Sequence, residues 1–178
     1  LPEMMLVQLR DGSMGFAGSA RLSGALPGGA VRELALPVKG FLSPGGTLAV
    51  WRECTPVRFD SLSLAGLTLD RRSLTLCPPT GGAILASDAR GMRLAAGAPS
   101  LAVAGTLGGT PVRIASGPIG FAWPGNISAR MLDVSLGPPQ TASRFRARNL
   151  SARPAPAIAG RFAGSDVTLN AVPLDILG

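Results

Sequence analysis

The residues that could do chemistry in this chain are few. Cys54 and Cys77 are the only thiols, and there is no histidine. Without imidazole the commonest general base is gone, and with it the Ser-His-Asp arrangement and most zinc and copper sites. The acidic residues are isolated: no DxD or ExxE pair signals a metal cluster or a two-carboxylate hydrolase. No phosphate loop or dinucleotide fingerprint joins a strand to a helix, and Gly15 and Gly18 read as a glycine-rich strand or turn. An even pair of cysteines flanking several strands most simply forms one disulfide. In the chain-entropy account such a link is worth about 3 kcal/mol, and it would place the protein outside the cytoplasm. Two buried free thiols are the other reading of the pair. Asn126-Ile127-Ser128 and Asn149-Leu150-Ser151 match a glycosylation pattern too short to carry weight.

Arginine supplies nearly all of the net charge of +7, since Lys39 is the only lysine. Nucleic-acid binding needs such charge gathered on one face, usually with stacking aromatics. Here the arginines are scattered and aromatics make up 4 %, so no nucleic-acid partner is expected. Only Arg144, Arg146 and Arg148 form a local run, which at a period of two faces one side of a strand. That run reads as a solvated face, with contact to an anionic lipid headgroup or phosphate as the functional alternative.

The elements that must position these residues are strands. With 24 glycines and 16 prolines in 178 residues, almost no window of helical length is free of a breaker, and no helical apolar period appears. Hydrophobic residues reach 46 % while charged residues stop at 15 %, against roughly a quarter charged in ordinary domains. The chain has the length for one domain with a core and is read as a single β-rich segment over residues 1–178. The uncharged stretch Leu94 to Val112 approaches the length of a membrane span. Gly97, Pro99, Gly105, Gly108, Gly109 and Pro111 break it, so it reads as two strands and a turn.

Short alternating runs follow one another: Leu34, Leu36 and Val38, then Thr47 to Trp51, then Val57 with Phe59. Leu62 with Leu64, Leu67 with Leu69, and Leu74 with Leu76 come next. Their numbering passes from even to odd and back to even, and side chains alternate faces along a strand. Each change therefore needs a turn or bulge to return the leucines to one face, and Ala65-Gly66 and Asp70-Arg71-Arg72-Ser73 sit at the two changes. Later strands are signalled by Leu101 with Val103, Val112 with Ile114, Ile119 with Phe121, Leu132 to Leu136, Phe145, Ile158 with Phe162, and Val167 with Leu169. Turns are expected at Ser43 to Gly46, Gly108-Gly109, Pro124-Gly125 and Gly137 to Pro139, with an interior loop over Ser151 to Pro156. A spacing of about ten residues per strand fits a sandwich, a barrel, an open meander or an irregular solenoid, so the expected fold is all-β, with little helix.

The stretch from Trp51 through Cys54 to Phe59, with Leu74-Thr75-Leu76-Cys77-Pro78, resembles a piece of the YdbH family, AsmA-like proteins that act as bridge-like lipid transporters. Gly108 to Arg113 and Ala171 to Ile176 are similar in style. The resemblance covers most of the chain, although family members are several times longer and begin with an inner-membrane helix. It implies a long curved sheet folded into a trough, apolar inside, standing in the periplasm and anchored to the inner membrane by a segment outside this stretch. Phospholipid is then the ligand, inner and outer membrane components are the partners, and no cofactor is called for. The lining residues are expected to be Leu62, Leu64, Leu67, Leu69, Leu74, Leu76, Leu101, Val103, Val112 and Ile114, with headgroups near Arg144, Arg146 and Arg148. The chemistry is passive: exposing an acyl chain of some sixteen carbons to water costs about 13 kcal/mol, which an apolar wall lowers. A structural or adhesive β-module of the cell envelope, with no ligand, is the competing expectation. An enzyme would need a polar pocket assembled from distant Asp and Arg residues.

Overall fold

The structure, a computed structural model, describes residues 4–26, 28–153, 159–169 and 172–175. Ile158, Ile176, Ala171 and the part of the expected loop from Pro154 to Pro156 lie outside the described residues. Fifteen strands belong to one antiparallel sheet, and among the described residues there is no helix. The strands are β1 (Met4–Gln8), β2 (Met14–Leu26), β3 (Gly29–Leu42), β4 (Leu48–Val50), β5 (Thr55–Leu64), β6 (Leu67–Leu76), β7 (Leu85–Asp88) and β8 (Gly91–Ala98). They continue as β9 (Leu101–Leu107), β10 (Thr110–Ser116), β11 (Ile119–Trp123), β12 (Ile127–Leu136), β13 (Ser143–Arg153), β14 (Ala159–Leu169) and β15 (Val172–Asp175). Ser151 to Arg153, expected in a loop, extend β13.

The strand order looks crossed but is a plain meander. β3 pairs with β5 along its first half and with β4 at its end, so β4 and β5 are one long strand interrupted at residues 51–54. In the same way β6 and β7 pair with β5 and β4, and β9 and β8 pair with β6 and β7. β10 and β11 pair with β9 and β8, and β12 receives both. Each interrupted pair therefore counts as one long ribbon, and each ribbon lies beside the next in chain order. Tight turns make this possible: Ala65 and Gly66 have φ of 50° and 82°, and Gly108 and Gly109 have 56° and 86°, the left-handed pairs of two-residue hairpins. The turns at one rim are themselves hydrogen bonded, the Ala65 N–H donating to the Gly28 carbonyl at 2.9 Å, Gly108 to Gly66 at 2.9 Å and Gly137 to Pro111 at 2.8 Å.

Directly paired residues share a face, so the registers sort the side chains. One face carries Val31, Leu34, Leu36 and Val38 from β3, and Val57, Phe59, Leu62 and Leu64 from β5. Across the sheet it continues through Val103, Val112, Ile114, Leu132, Val134 and Phe145. The other face carries Arg32, Glu33, Lys39, Arg58, Asp60, Arg113, Asp133 and the arginines of β13. Val31, Phe59, Leu69 and Val103 bury one another on the apolar face. Among the described residues no large side chain is fully enclosed, and Leu22, Leu64, Leu107 and Phe162 stay exposed. The sheet is not a closed barrel, and no second layer of secondary structure among the described residues covers its apolar face.

Keeping one face apolar requires the alternation to reset once within each long ribbon. In β3 the apolar side passes from Val31 to Leu34, with Arg32 and Glu33 between them turned away; Glu33 has φ of 48°. In β12 it passes from Ala129 to Leu132, across Arg130 and Met131, and Met131 has φ of 51°. In β13 it passes from Ala147 to Leu150, and in β14 Gly164, at φ 62°, marks the same event. A residue in the left-handed region rotates the strand and re-aims its neighbours, as a bulge does.

The apolar face and a parting in the sheet

All ten residues expected to line a groove lie on the apolar face. Leu62 is opposite Leu69, and Leu64 is opposite Leu67. Leu74 pairs with Val57, and Leu76 with Thr55. Val103 pairs with Ile114, Gly105 with Val112, and Leu101 with Ser116. The two changes of parity among the leucines fall at the Ala65-Gly66 hairpin and at a kink around Asp70 and Arg71, where the Asp60 to Arg71 pair is missing from an otherwise regular ladder.

These resets are level with one another over two halves of the sheet. On the first half, Glu33 is level with Asp60 and Asp60 with Arg71, while β2 shifts register between Leu22 and Gly24. On the second half, Pro99-Ser100, Gly117-Pro118, Arg130-Met131, Arg148-Asn149 and Ala163-Gly164 align. The Gly117 N–H donates to the Arg130 carbonyl and the Arg130 N–H to the Pro118 carbonyl, both at 2.9 Å.

Between the halves the levels do not match. β6 pairs with β9 from Leu67 to Leu69, opposite Leu107 to Gly105. The same register returns at an isolated bridge between Cys77 and Gly97. β6 resets near Asp70, whereas the β8–β9 ribbon resets at Pro99-Ser100. Over the intervening stretch Ser73, facing the polar side, is level with Leu101, facing the apolar side. Pleats out of phase cannot form a ladder, and the strands part. A hollow of about 340 Å³ lies there, lined by Leu74, Leu76, Ile84, Leu94, Ala96, Ala98, Leu101, Ile119 and Phe121 among others, without a charged side chain. Leu74, Leu76 and Leu101 in this lining are among the residues expected from the sequence; Ile84, Leu94, Ala96 and Ala98 are not, and Ile119 with Phe121 are expected only as a strand.

The disulfide sits beside the parting. Continuing the Thr55 to Leu76 pairing by one residue brings Cys54 opposite Cys77, and the two are bonded, with Cα atoms 3.9 Å apart. Both lie next to residues of the apolar face and so point to the polar side. Cys77 also donates its N–H to the Gly97 carbonyl at 2.8 Å and accepts from the Gly97 N–H at 2.9 Å. One residue thus ties the β5, β6 and β8 ribbons at the lower end of the hollow. At the upper end the backbones approach closely: a Cβ on Gly105 would stand 1.9 Å from the Thr68 carbonyl oxygen.

Arg144, Arg146 and Arg148 are on the opposite side from the leucines. Arg146 donates from Nε to Asp133 at 2.9 Å and lies 4.0 Å from Asp166, a cross-strand carboxylate pairing over β12, β13 and β14. A headgroup held there would be separated by the sheet from an acyl chain on the leucine face. A cleft of about 750 Å³ on this polar side is lined in part by Asp70, Arg113, Asp133, Ser135 and Arg144. Its mixed charge makes it unsuited to acyl chains. Among the described residues no group of three or more His, Cys, Asp or Glu could hold a metal ion.

No curated protein and no solved structure matches the chain. Residues 3–177 match the profile of a family named YdbH-like and described as intermembrane phospholipid transport protein YdbH. With nearly its whole length matched, this uncovered apolar sheet belongs to the YdbH-like family of intermembrane phospholipid transport proteins.

Proposed function

We propose that the chain is a segment of a periplasmic lipid-transfer bridge, anchored to the inner membrane through another part of the protein, and that phospholipid acyl chains move passively over its apolar face. The observation that carries this is the uncovered face itself. From β3 to β13 the ladders bring Val31, Leu34, Phe59, Leu62, Val103, Val112, Ile114, Val134 and Phe145 to one side, the alternation resets in ribbon after ribbon to keep them there, and no packed layer among the described residues closes over them. An apolar surface left to water is costly in proportion to its area, and such patches mark ligand or partner sites. Membership in a phospholipid transport family supplies the ligand class. No acid, base or nucleophile is needed, because the work is to lower the cost of hydrating an acyl chain while the headgroup stays in water. Arg144 and Arg148, on the polar face, meet headgroups only where a lipid reaches around a sheet edge.

Solvent extraction of the purified chain followed by mass spectrometry tests this. Phospholipid should be recovered, and Leu64→Asp should reduce it several-fold. Leu64 suits the purpose because it is 47 % exposed on the apolar face, so a charge there alters the surface without breaking the core. Extraction that returns no lipid from the unmodified chain would sink the proposal and leave a ligand-free envelope module in its place.

A further inference from the structure

We infer that the parting between β6 and the β8–β9 ribbon is a seat for a single acyl chain, a fixed station on the apolar face; this rests on the groove reading above and gives it one address. Over the upper part of the face the side chains fill the available space themselves, since Val31, Phe59, Leu69 and Val103 bury one another between neighbouring ribbons. A lipid there rides over a finished surface. At the parting the strands are no longer at ladder spacing, and a chain can sink between them.

Three features suit the hollow to that occupant. Its walls come from Leu74, Leu76, Leu94, Ala96, Leu101 and Phe121, so it offers dispersion contacts and no charge. Ala96 and Ala98 keep it narrow but open where larger residues would close it. The gap is also permanent: pleats out of phase cannot zip together, and its ends are pinned, by the Leu69 to Gly105 pairing above and by Cys77, bridged to Gly97 and bonded to Cys54, below. A preformed apolar slot loses little order on binding, which favours a bound chain over one sliding on the open face.

The test uses the protein's own fluorescence. Trp123 lies on the apolar face directly opposite Leu94 in the β8–β11 ladder, and Leu94 lines the hollow. In a Trp51→Phe background Trp123 is the sole tryptophan, since the chain has two. Phosphatidylcholine vesicles with bromine on the acyl chains should quench it. Adding Ala96→Phe, which fills the hollow, should cut that quenching several-fold while extractable phospholipid is retained, whereas Arg58→Phe, exposed on the opposite, polar face, should leave quenching unchanged. If Ala96→Phe loses the sheet by circular dichroism, Ala98→Leu carries the same expectation. Quenching that survives both fillings overturns the seat and leaves the groove standing. Absence of both quenching and extractable lipid in the unfilled chain overturns the groove, and the seat with it.

Discussion

Cys77 and Gly97 exchange two backbone hydrogen bonds, of 2.8 and 2.9 Å, in the register that Leu69 and Gly105 set further up the same two ribbons. Among the described residues no ladder joins 70–76 to 98–104 between those points. The interruption follows from where each ribbon resets its alternation. Both ribbons keep their apolar residues on one face, but they switch phase at different heights, and the mismatch opens the sheet. The same device that maintains an apolar face thus produces a hollow in it.

The close approach at the top of the parting makes Gly105 costly to replace. Gly105→Ala should cost about 1–3 kcal/mol, the range for overpacking a tight site, because its Cβ would meet the Thr68 carbonyl oxygen at 1.9 Å. Gly24→Ala is the matched control, since nothing lies within 4 Å of a Cβ built there. It should change stability by less than about 0.5 kcal/mol. Urea denaturation of both variants at equal slope checks the contrast; equal midpoints would mean that β6 and β9 are not in this register.

The disulfide should act chiefly on the unfolded chain. Cys54 and Cys77 are 23 residues apart, and closing a loop of that size contributes about 3 kcal/mol in the chain-entropy account. Reductant should lower the denaturation midpoint of the natural chain accordingly. The double variant Cys54→Ser with Cys77→Ser should start at the lowered midpoint and show no response to reductant.

Much of this was legible in the sequence where leucine is dense. From Leu62 to Leu76 large apolar residues recur often enough that the parity changes show, and the turn at Ala65-Gly66 and the kink near Asp70 sit where those changes demand. Elsewhere the apolar face is carried at the resets by small or polar residues, Ser116, Ala129 and Ala147 among them, so the phase change leaves no hydrophobic trace. β1 was not read as a strand, and β2 showed only as a glycine-rich strand or turn at Gly15 and Gly18, because glycine, alanine and serine occupy much of residues 15–20. Strand spacing alone left sandwich, barrel, open meander and solenoid unresolved, and the structure is an open meander. The hollow was beyond reach, because it depends on the pairing of β6 with a ribbon some thirty residues later, and register between distant strands is not written in either one.

The left-handed residues at the resets are a second place to test the geometry. Met131 has φ of 51° and its side chain is 72 % exposed, so it gives up little packing when removed. A non-glycine residue in that region costs about 1–2 kcal/mol, and glycine returns part of that gain through the freedom of the unfolded chain. Met131→Gly should therefore stabilise by about 0.5–1 kcal/mol, whereas Leu132→Gly, one residue along on the apolar face, should destabilise. Thermal unfolding of the two variants separates them, and a destabilising Met131→Gly would show that the ribbon does not turn its phase at this residue.

Acid should loosen the β1–β2 hairpin first at Asp11. Its carboxylate accepts hydrogen bonds from the Ser13 hydroxyl at 2.5 Å and from the Ser13 N–H at 3.0 Å, and these bonds, the hydroxyl's foremost, hold its pKa below the ordinary 3.8. Hydrogen bonding to the charged form has that sign. A carboxyl group depressed by folding contributes stability that is present above its unfolded pKa and is lost as pH falls through the folded value. The turn, closed by the Leu9 N–H on the Ser13 carbonyl at 2.8 Å, should then be tightest above about pH 4 and loosen below it. An NMR titration following the Asp11 carboxyl and the Ser13 amide should give a midpoint under 3.8, and Ser13→Ala should raise it. A midpoint that ignores the Ser13 substitution would remove the hydroxyl as its cause.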